Sequence, residues 1–116
     1  MEPVDSSAAA IGAQGLIRYG RWRDAHGDIA GRAYVQAGLT VFATLLGPVY
    51  LSSVPDHQGL VLHSQYHRPN GWDHVQPGRH SPSGEATMWG DYHMRELALV
   101  VQRLAKAGPY PTFFAI

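Results

Sequence analysis

The sequence contains no cysteine, so it holds neither a disulfide framework nor a thiolate metal site. It has no excess of charge of either sign, because nine Lys and Arg residues balance nine Asp and Glu residues. The basic surface that a phosphate backbone requires is missing, and nucleic acid is not expected as a partner. The longest apolar run, residues 39–46, is far too short to span a bilayer, so no membrane partner is expected.

Signals for secretion, metal binding and common hydrolytic chemistry are also missing. The N-terminal stretch MEPVDSS has no basic and no apolar region of a secretory signal, so a cytoplasmic location is expected. Seven histidines are present, but HExxH is absent and their spacing is irregular. Neither GxSxG nor a diagnostic pair of carboxylates occurs. No catalytic residue, no metal and no other cofactor is therefore assigned.

The 116 residues, 45% of them hydrophobic, suffice for one small domain, and three stretches have helical character. The first helix is predicted from about residue 7 to 19, behind the capping side chains of Asp5 and Ser6, with Gly20 near its end. Gly12 and Gly15 weaken such a helix, so we expect close packing against a neighbour there. Its stripe at helical spacing consists of Ile11, Gly15, Leu16 and Tyr19.

The second helix is predicted from a cap at Asp28 to about residue 46, where Gly47 and Pro48 stop it. The short link between the first two helices favours an antiparallel α-hairpin. Residues 60–66 are predicted to be extended. A long loop, residues 67–85, precedes a third helix from about residue 86 to 107. The apolar face of this third helix includes Leu97, Val100 and Leu104.

Aromatic and polar side chains gather in this loop and at the start of the third helix. Flat rings can cover the apolar faces of a pyranose, while Arg, Asn and His bond its hydroxyl groups or carboxylate. The alternative is that Trp89 and Tyr92 anchor the loop on the core. The cluster consists of Tyr66, His67, Arg68, Asn70, Trp72, Asp73, Trp89 and Tyr92.

Two motifs resemble sequences of the unsaturated glucuronyl hydrolases, glycoside hydrolase family 88. DSSAAAIGAQGLIRYG, residues 5–20, resembles a helix entrance of that family. VLHSQYH, residues 61–67, followed by GEATMWGDYHMRELALVVQRL, residues 84–104, is similar to its C-terminal end, where a substrate loop runs into a Trp-Gly-Asp-Tyr helix start. The two motifs occur in the family's order, and the resemblance covers nearly the whole chain.

The resemblance implies an all-α fold, a toroid of six α-hairpins whose inner helices point their N-termini at a central pocket. It implies that Asp5, Ser6 and Ser7 line this pocket. Free N–H groups and the helix dipole would then favour an anionic ligand there. It also implies a substrate-binding role for the late loop and the Trp-Gly-Asp-Tyr start, namely Tyr66, His67, Arg68, Asn70, Trp72, Trp89, Asp91 and Tyr92.

The implied substrate is an oligosaccharide that ends in a 4,5-unsaturated uronic acid. A carboxylic acid protonates its vinyl ether at C4, water adds at C5, and the resulting hemiketal opens. The family's members are considerably longer, and their catalytic aspartates lie in upstream motifs without a counterpart here. By resemblance the chain is thus a single partial domain, residues 1–116, the C-terminal segment of a glycosidase that is inactive alone.

Without its neighbours such a segment is expected to self-associate through exposed hairpin faces. Two alternatives stay open: a non-catalytic helical remnant that serves as an association module, and a free-standing sugar-binding domain.

Overall fold

The computed structural model describes residues 4–65, 77 and 84–108. It contains three helices, α1 (Ser6–Ala25), α2 (Gly31–Leu45) and α3 (Met88–Ala105). These residues include no strand, and Leu51 and Val61 form an isolated antiparallel bridge. The all-α class is therefore confirmed for the described part of the chain. The long loop that was predicted before α3 lies largely outside it.

Helix α1 is six residues longer at its C-terminal end than the sequence predicted. Gly20 does not end the helix, because its missing side chain serves helix packing. A Cβ atom at Gly20 would overlap the carbonyl oxygen of Gly31 and would lie 2.8 Å from the backbone nitrogen of Val35. Gly38 has the same role further along, where a Cβ would lie 2.7 Å from the carbonyl oxygen of Ala13. Helices α1 and α2 thus cross closely and run antiparallel.

Among the described residues no close packing occurs at Gly12 and Gly15, since a Cβ at either position would meet none of their atoms within 4 Å. The predicted stripe of α1 is not its buried face either, because Ile11 and Tyr19 are 49% and 47% exposed. The buried face of α1 is made mostly of small residues, which allow the backbones of α1 and α2 to approach each other closely. The core consists of Ala10, Ala13, Ile17, Leu45, Val61, Met94, Leu97 and Val100.

The ends of α2 and α3 differ from the predicted ends by one to three residues. Asp28 lies before α2 rather than at its cap, and its Oδ1 accepts the N–H of Ala30 at 3.0 Å. Helix α3 begins two residues late because Thr87 caps it, accepting the N–H of Gly90 at 3.1 Å. It ends early, and Ala107 has a φ of 49°. The predicted burial of Leu97 is confirmed.

Helix α3 packs beside α1 and runs in the same direction. Gln14, the ninth residue of α1, donates a 3.0 Å hydrogen bond to Glu96, the ninth residue of α3. Both helices begin next to the same short segment, residues 60–65, which we call the bridging segment. We call this end of the molecule the entrance end. None of the described helices has the length and apolar character needed to cross a bilayer.

Candidate functional site

At the start of α1, Asp5 connects the helix to the bridging segment. Its Oδ1 accepts hydrogen bonds from the N–H of Ser7 at 3.0 Å, from the hydroxyl of Ser7 at 2.6 Å, and from the N–H of Gln65 at 3.2 Å. The N–H of Ser6 donates to the carbonyl of His63 at 3.0 Å. His63 has a φ of 65°, so the bridging segment is not extended throughout as predicted.

The Asp5 carboxyl is ionised at neutral pH. Partial burial raises its pKa, but the hydrogen bonds from the Ser7 hydroxyl and from the N–H groups of Gln65, Ala8 and Ser7 outweigh this effect. The pKa of Asp5 therefore lies below its ordinary value of 3.8. All four N–H groups at the start of α1 have acceptors. That of Ser6 donates to the His63 carbonyl, those of Ser7 and Ala8 donate to the Asp5 carboxylate, and that of Ala9 donates to the Asp5 carbonyl at 3.1 Å. The expectation of free N–H groups for an anion is therefore wrong at α1.

Ser6 and Ser7 are nearly fully buried, at 1% and 5% exposure. The Oγ of Ser6 finds no hydrogen-bond partner among the described residues. Ser6 borders a cavity of about 310 Å3 between the start of α1 and the end of α2. The other lining residues are Val4, Asp5, Ala9, Val41, Thr44, Leu45 and Tyr50.

At the start of α3, Asp91 holds the other side of the bridging segment. Its Oδ2 accepts the N–H of Leu60 and its Oδ1 that of Val61, each at 2.9 Å. Gly90 of the WGDY motif leaves room for Ser64, since a Cβ there would lie 2.8 Å from the Ser64 Oγ. The N–H of Ser64 donates to the carbonyl of Glu85 at 3.1 Å. The polar start of α3 thus fixes backbone geometry.

Two further polar contacts at the entrance end were not predicted from the sequence. The hydroxyls of Ser64 and Thr87 lie 2.5 Å apart. The Nε2 of His57 lies 3.3 Å from the Oε2 of Glu85. Thr87 could have been found from its position three residues before Gly90, where a threonine side chain caps a helix. The His57–Glu85 pair spans 28 residues, and no local pattern indicates it.

A groove with a volume of about 560 Å3 runs along the outer side of α3. Tyr92 is 61% exposed there, with its ring edge-on to His93 at 5.1 Å between centroids, so its ring lies outside the core. Trp89 is half-buried. The groove is lined by Met88, Asp91, Tyr92, Arg95, Glu96 and Leu99.

The described site candidates therefore lie at two helix starts that share one end of the molecule, Asp5 to Ser7 on α1 and Trp89 to Tyr92 on α3. Within residues 4–65, 77 and 84–108, no group of three His, Asp or Glu side chains could hold a metal ion. Five candidates lie outside the described residues, namely Tyr66, His67, Arg68, Asn70 and Trp72. Searches against family models, curated proteins and solved structures found no match for this chain.

Proposed function

We propose that the chain is one sector of an α/α-toroid glycosidase that acts on oligosaccharides ending in a 4,5-unsaturated uronic acid. Its entrance end faces the sugar, and its residues position substrate rather than transfer protons. The observation that supports this proposal is the parallel pair α1 and α3, which begin at one end of the molecule, with the antiparallel α2 between them in chain order. A toroid of α-hairpins needs this order of inner, outer and inner helix.

The described residues on both sides of the candidate sugar-contacting segment, residues 66–83, lie at the entrance end. Gln65, before it, is bonded to Asp5 at the start of α1. Glu85, after it, is bonded to Ser64 through its carbonyl. Residues 66–83 between them carry Arg68, whose planar guanidinium suits two parallel hydrogen bonds to a uronate carboxylate. Since Asp5 makes the start of α1 negative, recognition of the carboxylate falls to Arg68 rather than to the helix terminus.

The proposed chemistry consumes the double bond of the sugar by hydration. Protonation at C4 needs a general acid, which typically accelerates such a step about 10²–10⁴-fold. The described carboxylates of Asp5 and Asp91 accept backbone N–H groups and do not fill that role. In this proposal the proton donor comes from a part of the toroid that this chain does not supply, so the chain binds the sugar without turning it over.

The test is a titration of the ¹⁵N-labelled chain with an unsaturated uronyl disaccharide, followed by amide chemical shifts. We expect shifts at the entrance end, including the amides of Ser7, Gln65 and Glu85, and constant ultraviolet absorbance of the double bond. Arg68→Lys should weaken binding about tenfold, which corresponds to about 1.4 kcal/mol. Arg103→Lys, an exposed change in the last turn of α3, serves as the control.

Three results would count against the proposal. The first is no binding at millimolar disaccharide, and the second is a shift pattern centred on the opposite end, near Arg103. The third is equal binding of the disaccharide by wild type and Arg68→Lys at low salt, which would show that Arg68 does not contact the sugar. Loss of the ultraviolet absorbance with the purified chain alone would show that the general acid is in this chain after all.

A further inference from the structure

The cavity between the start of α1 and the end of α2 has a mostly aliphatic wall, to which Val4, Ala9, Val41 and Leu45 contribute. Its volume is about 310 Å3. Ligand sites in proteins span roughly 300–1,000 Å3, and they combine an apolar lining with a few polar groups that orient the ligand. The cavity therefore has room for a molecule with one ring or a short chain.

The polar groups that line this cavity are not all used within the chain. The hydroxyl of Thr44 donates to the carbonyl of Thr40 at 3.0 Å. The Oδ1 of Asp5 accepts the Ser7 hydroxyl and three backbone N–H groups. The Oδ2 of Asp5 has no hydrogen-bond partner in the described part of the chain, and it is not buried. One oxygen of this carboxylate is thus available to a ligand.

Asp5 is also a negative charge without a positive partner. It is ionised at neutral pH, and none of the ion pairs among the described residues includes it. The start of α1 is equivalent to about half a positive charge, which offsets the carboxylate only in part. A cation at Oδ2 would make a charge-assisted hydrogen bond, which is about twice as strong as a neutral one. Charge complementarity therefore favours a cation in this cavity.

Ser6 gives a second, independent indication of a ligand. It lines the cavity and is 1% exposed, and its Oγ has no partner within the described residues. A buried hydroxyl without a partner lowers stability, and proteins retain such groups chiefly at functional sites. An ammonium group carries three donors, so one group can serve both the Oδ2 of Asp5 and the Oγ of Ser6.

We propose that this cavity binds a small organic cation, a primary amine with an apolar body. The ammonium group donates to the Oδ2 of Asp5 and to the Oγ of Ser6. The apolar body lies against Val41 and Leu45. Tyr50 also lines the cavity, and the face of an aromatic ring attracts a cation. This inference does not depend on the proposed sugar-binding role, since a uronate is an anion and is assigned to Arg68.

The first experiment compares three probes with one aromatic ring and different charge, namely benzylamine, benzyl alcohol and benzoate. Binding is followed through the amide chemical shifts of the ¹⁵N-labelled chain at neutral pH. We expect benzylamine to bind about tenfold more tightly than benzyl alcohol, with shifts at Ser7, Ala9 and Leu45, and benzoate to bind more weakly than either. Equal affinities for the amine and the alcohol, or shifts confined to other parts of the chain, would overturn the proposal.

The second experiment removes the charge at Asp5. Asn caps helices about as well as Asp, so Asp5→Asn should keep the fold. It should reduce the affinity for benzylamine to that for benzyl alcohol. Asp56→Asn is the matched control, because it changes the net charge equally at an exposed loop position outside the cavity lining. An amine preference that survives Asp5→Asn, or an equal loss in both variants, would overturn the role of Asp5.

The third experiment tests Ser6. Ser6→Ala should weaken benzylamine binding about fivefold while raising the thermal midpoint of the free chain, because it removes a buried hydroxyl without a partner. These opposite signs separate a lost ligand contact from a damaged fold. Ser53→Ala, at an exposed loop position, should change neither quantity. Undiminished binding by Ser6→Ala would show that its hydroxyl does not contact the amine.

The fourth experiment fills the cavity without removing a polar group. Ala9→Leu introduces a good helix former whose side chain occupies the space of the apolar body. It should abolish the binding of benzylamine and of benzyl alcohol, while the circular dichroism of the chain stays that of the wild type. If Ala9→Leu binds benzylamine as tightly as wild type, the amine lies elsewhere and the proposal fails.

Discussion

The carboxylate of Asp91, in the first turn of α3, accepts the backbone N–H of Val61 at 2.9 Å, and Val61 is completely buried in the core. Its other oxygen accepts the N–H of Leu60 at the same distance. The Asp91 carboxylate thus accepts two backbone N–H groups of the bridging segment, which the carbonyl groups of an adjacent strand would accept in a β-sheet. This pairing gives the aspartate of WGDY a structural role, whether or not it also contacts a ligand.

We expect Asp91→Ala to lower the free energy of unfolding by about 3 kcal/mol, because two N–H groups lose a charged acceptor. Asp91→Asn keeps one acceptor oxygen and should cost about half as much. Urea denaturation followed by circular dichroism measures both. Asp56→Ala, at an exposed loop position, is the control. An Asp91→Ala protein of wild-type stability would show that the two N–H groups do not depend on this carboxylate.

The pH dependence of stability should report on Asp5. Its pKa in the folded chain lies below the ordinary 3.8, so folding favours the ionised form. The resulting stabilisation is present above the unfolded pKa and is lost as pH falls from near 3.8 through the lower folded pKa. Asp5→Asn keeps an acceptor oxygen but removes the titration. Denaturation midpoints should therefore fall less steeply below pH 4 in Asp5→Asn than in wild type, and parallel curves would contradict this.

Two serines side by side in α1 should respond with opposite signs. Ser6→Ala removes a buried hydroxyl that lacks a partner among the described residues, and should stabilise the fold by about 1 kcal/mol. Ser7→Ala removes the 2.6 Å hydrogen bond to Asp5 and should destabilise it by about 1 kcal/mol. Thermal and urea denaturation of the pair test this directly. Destabilisation by Ser6→Ala would mean that its hydroxyl has a partner after all.

The glycines of α1 form a second matched pair. Gly20→Ala should destabilise the chain by about 1–3 kcal/mol, because its Cβ would overlap the backbone of α2 at Gly31 and Val35. The new Cβ of Gly12→Ala would meet no atom of the described part of the chain within 4 Å, and this change should stabilise the helix by up to about 1 kcal/mol. Denaturation at micromolar concentration measures both changes. Equal effects at the two positions would contradict the close crossing of α1 and α2.

The sequence predicted the helices well where local signals decide, and less well where distant residues decide. Asp5 caps α1 as predicted, since its acceptor and the N–H groups are two or three residues apart. Gly20 was misjudged because a glycine that ends a helix and a glycine that admits a second helix look alike in a single sequence. The role of Asp91 toward Leu60, 31 residues away, has no local signature.

For the candidate site, too, the sequence predicted what local signals decide and missed what distant residues decide. That polar residues gather at the starts of two helices was visible from the sequence, but how they are used was not. The hydroxyl pair of Ser64 and Thr87 depends on how the bridging segment passes α3. Ser6 borders a cavity between α1 and α2, with its hydroxyl oxygen buried, and its expected place in the central pocket of a toroid stays a prediction. Burial of this kind depends on the neighbours of a residue, which its own sequence stretch does not contain.

Because the N–H groups of Leu60 and Val61 donate to Asp91, their hydrogen exchange reports how often α3 separates from the rest of the molecule. Amides within α1 and α2 keep their acceptors as long as their own helix stays intact, whereas these two lose theirs once α3 moves away. In deuterium exchange they should therefore label with the opening of α3, ahead of the hairpin amides. The exchange rate of the Leu60 and Val61 amides, relative to their intrinsic rate, gives the free energy that holds α3 in place, and the hairpin amides give that of global unfolding in the same way.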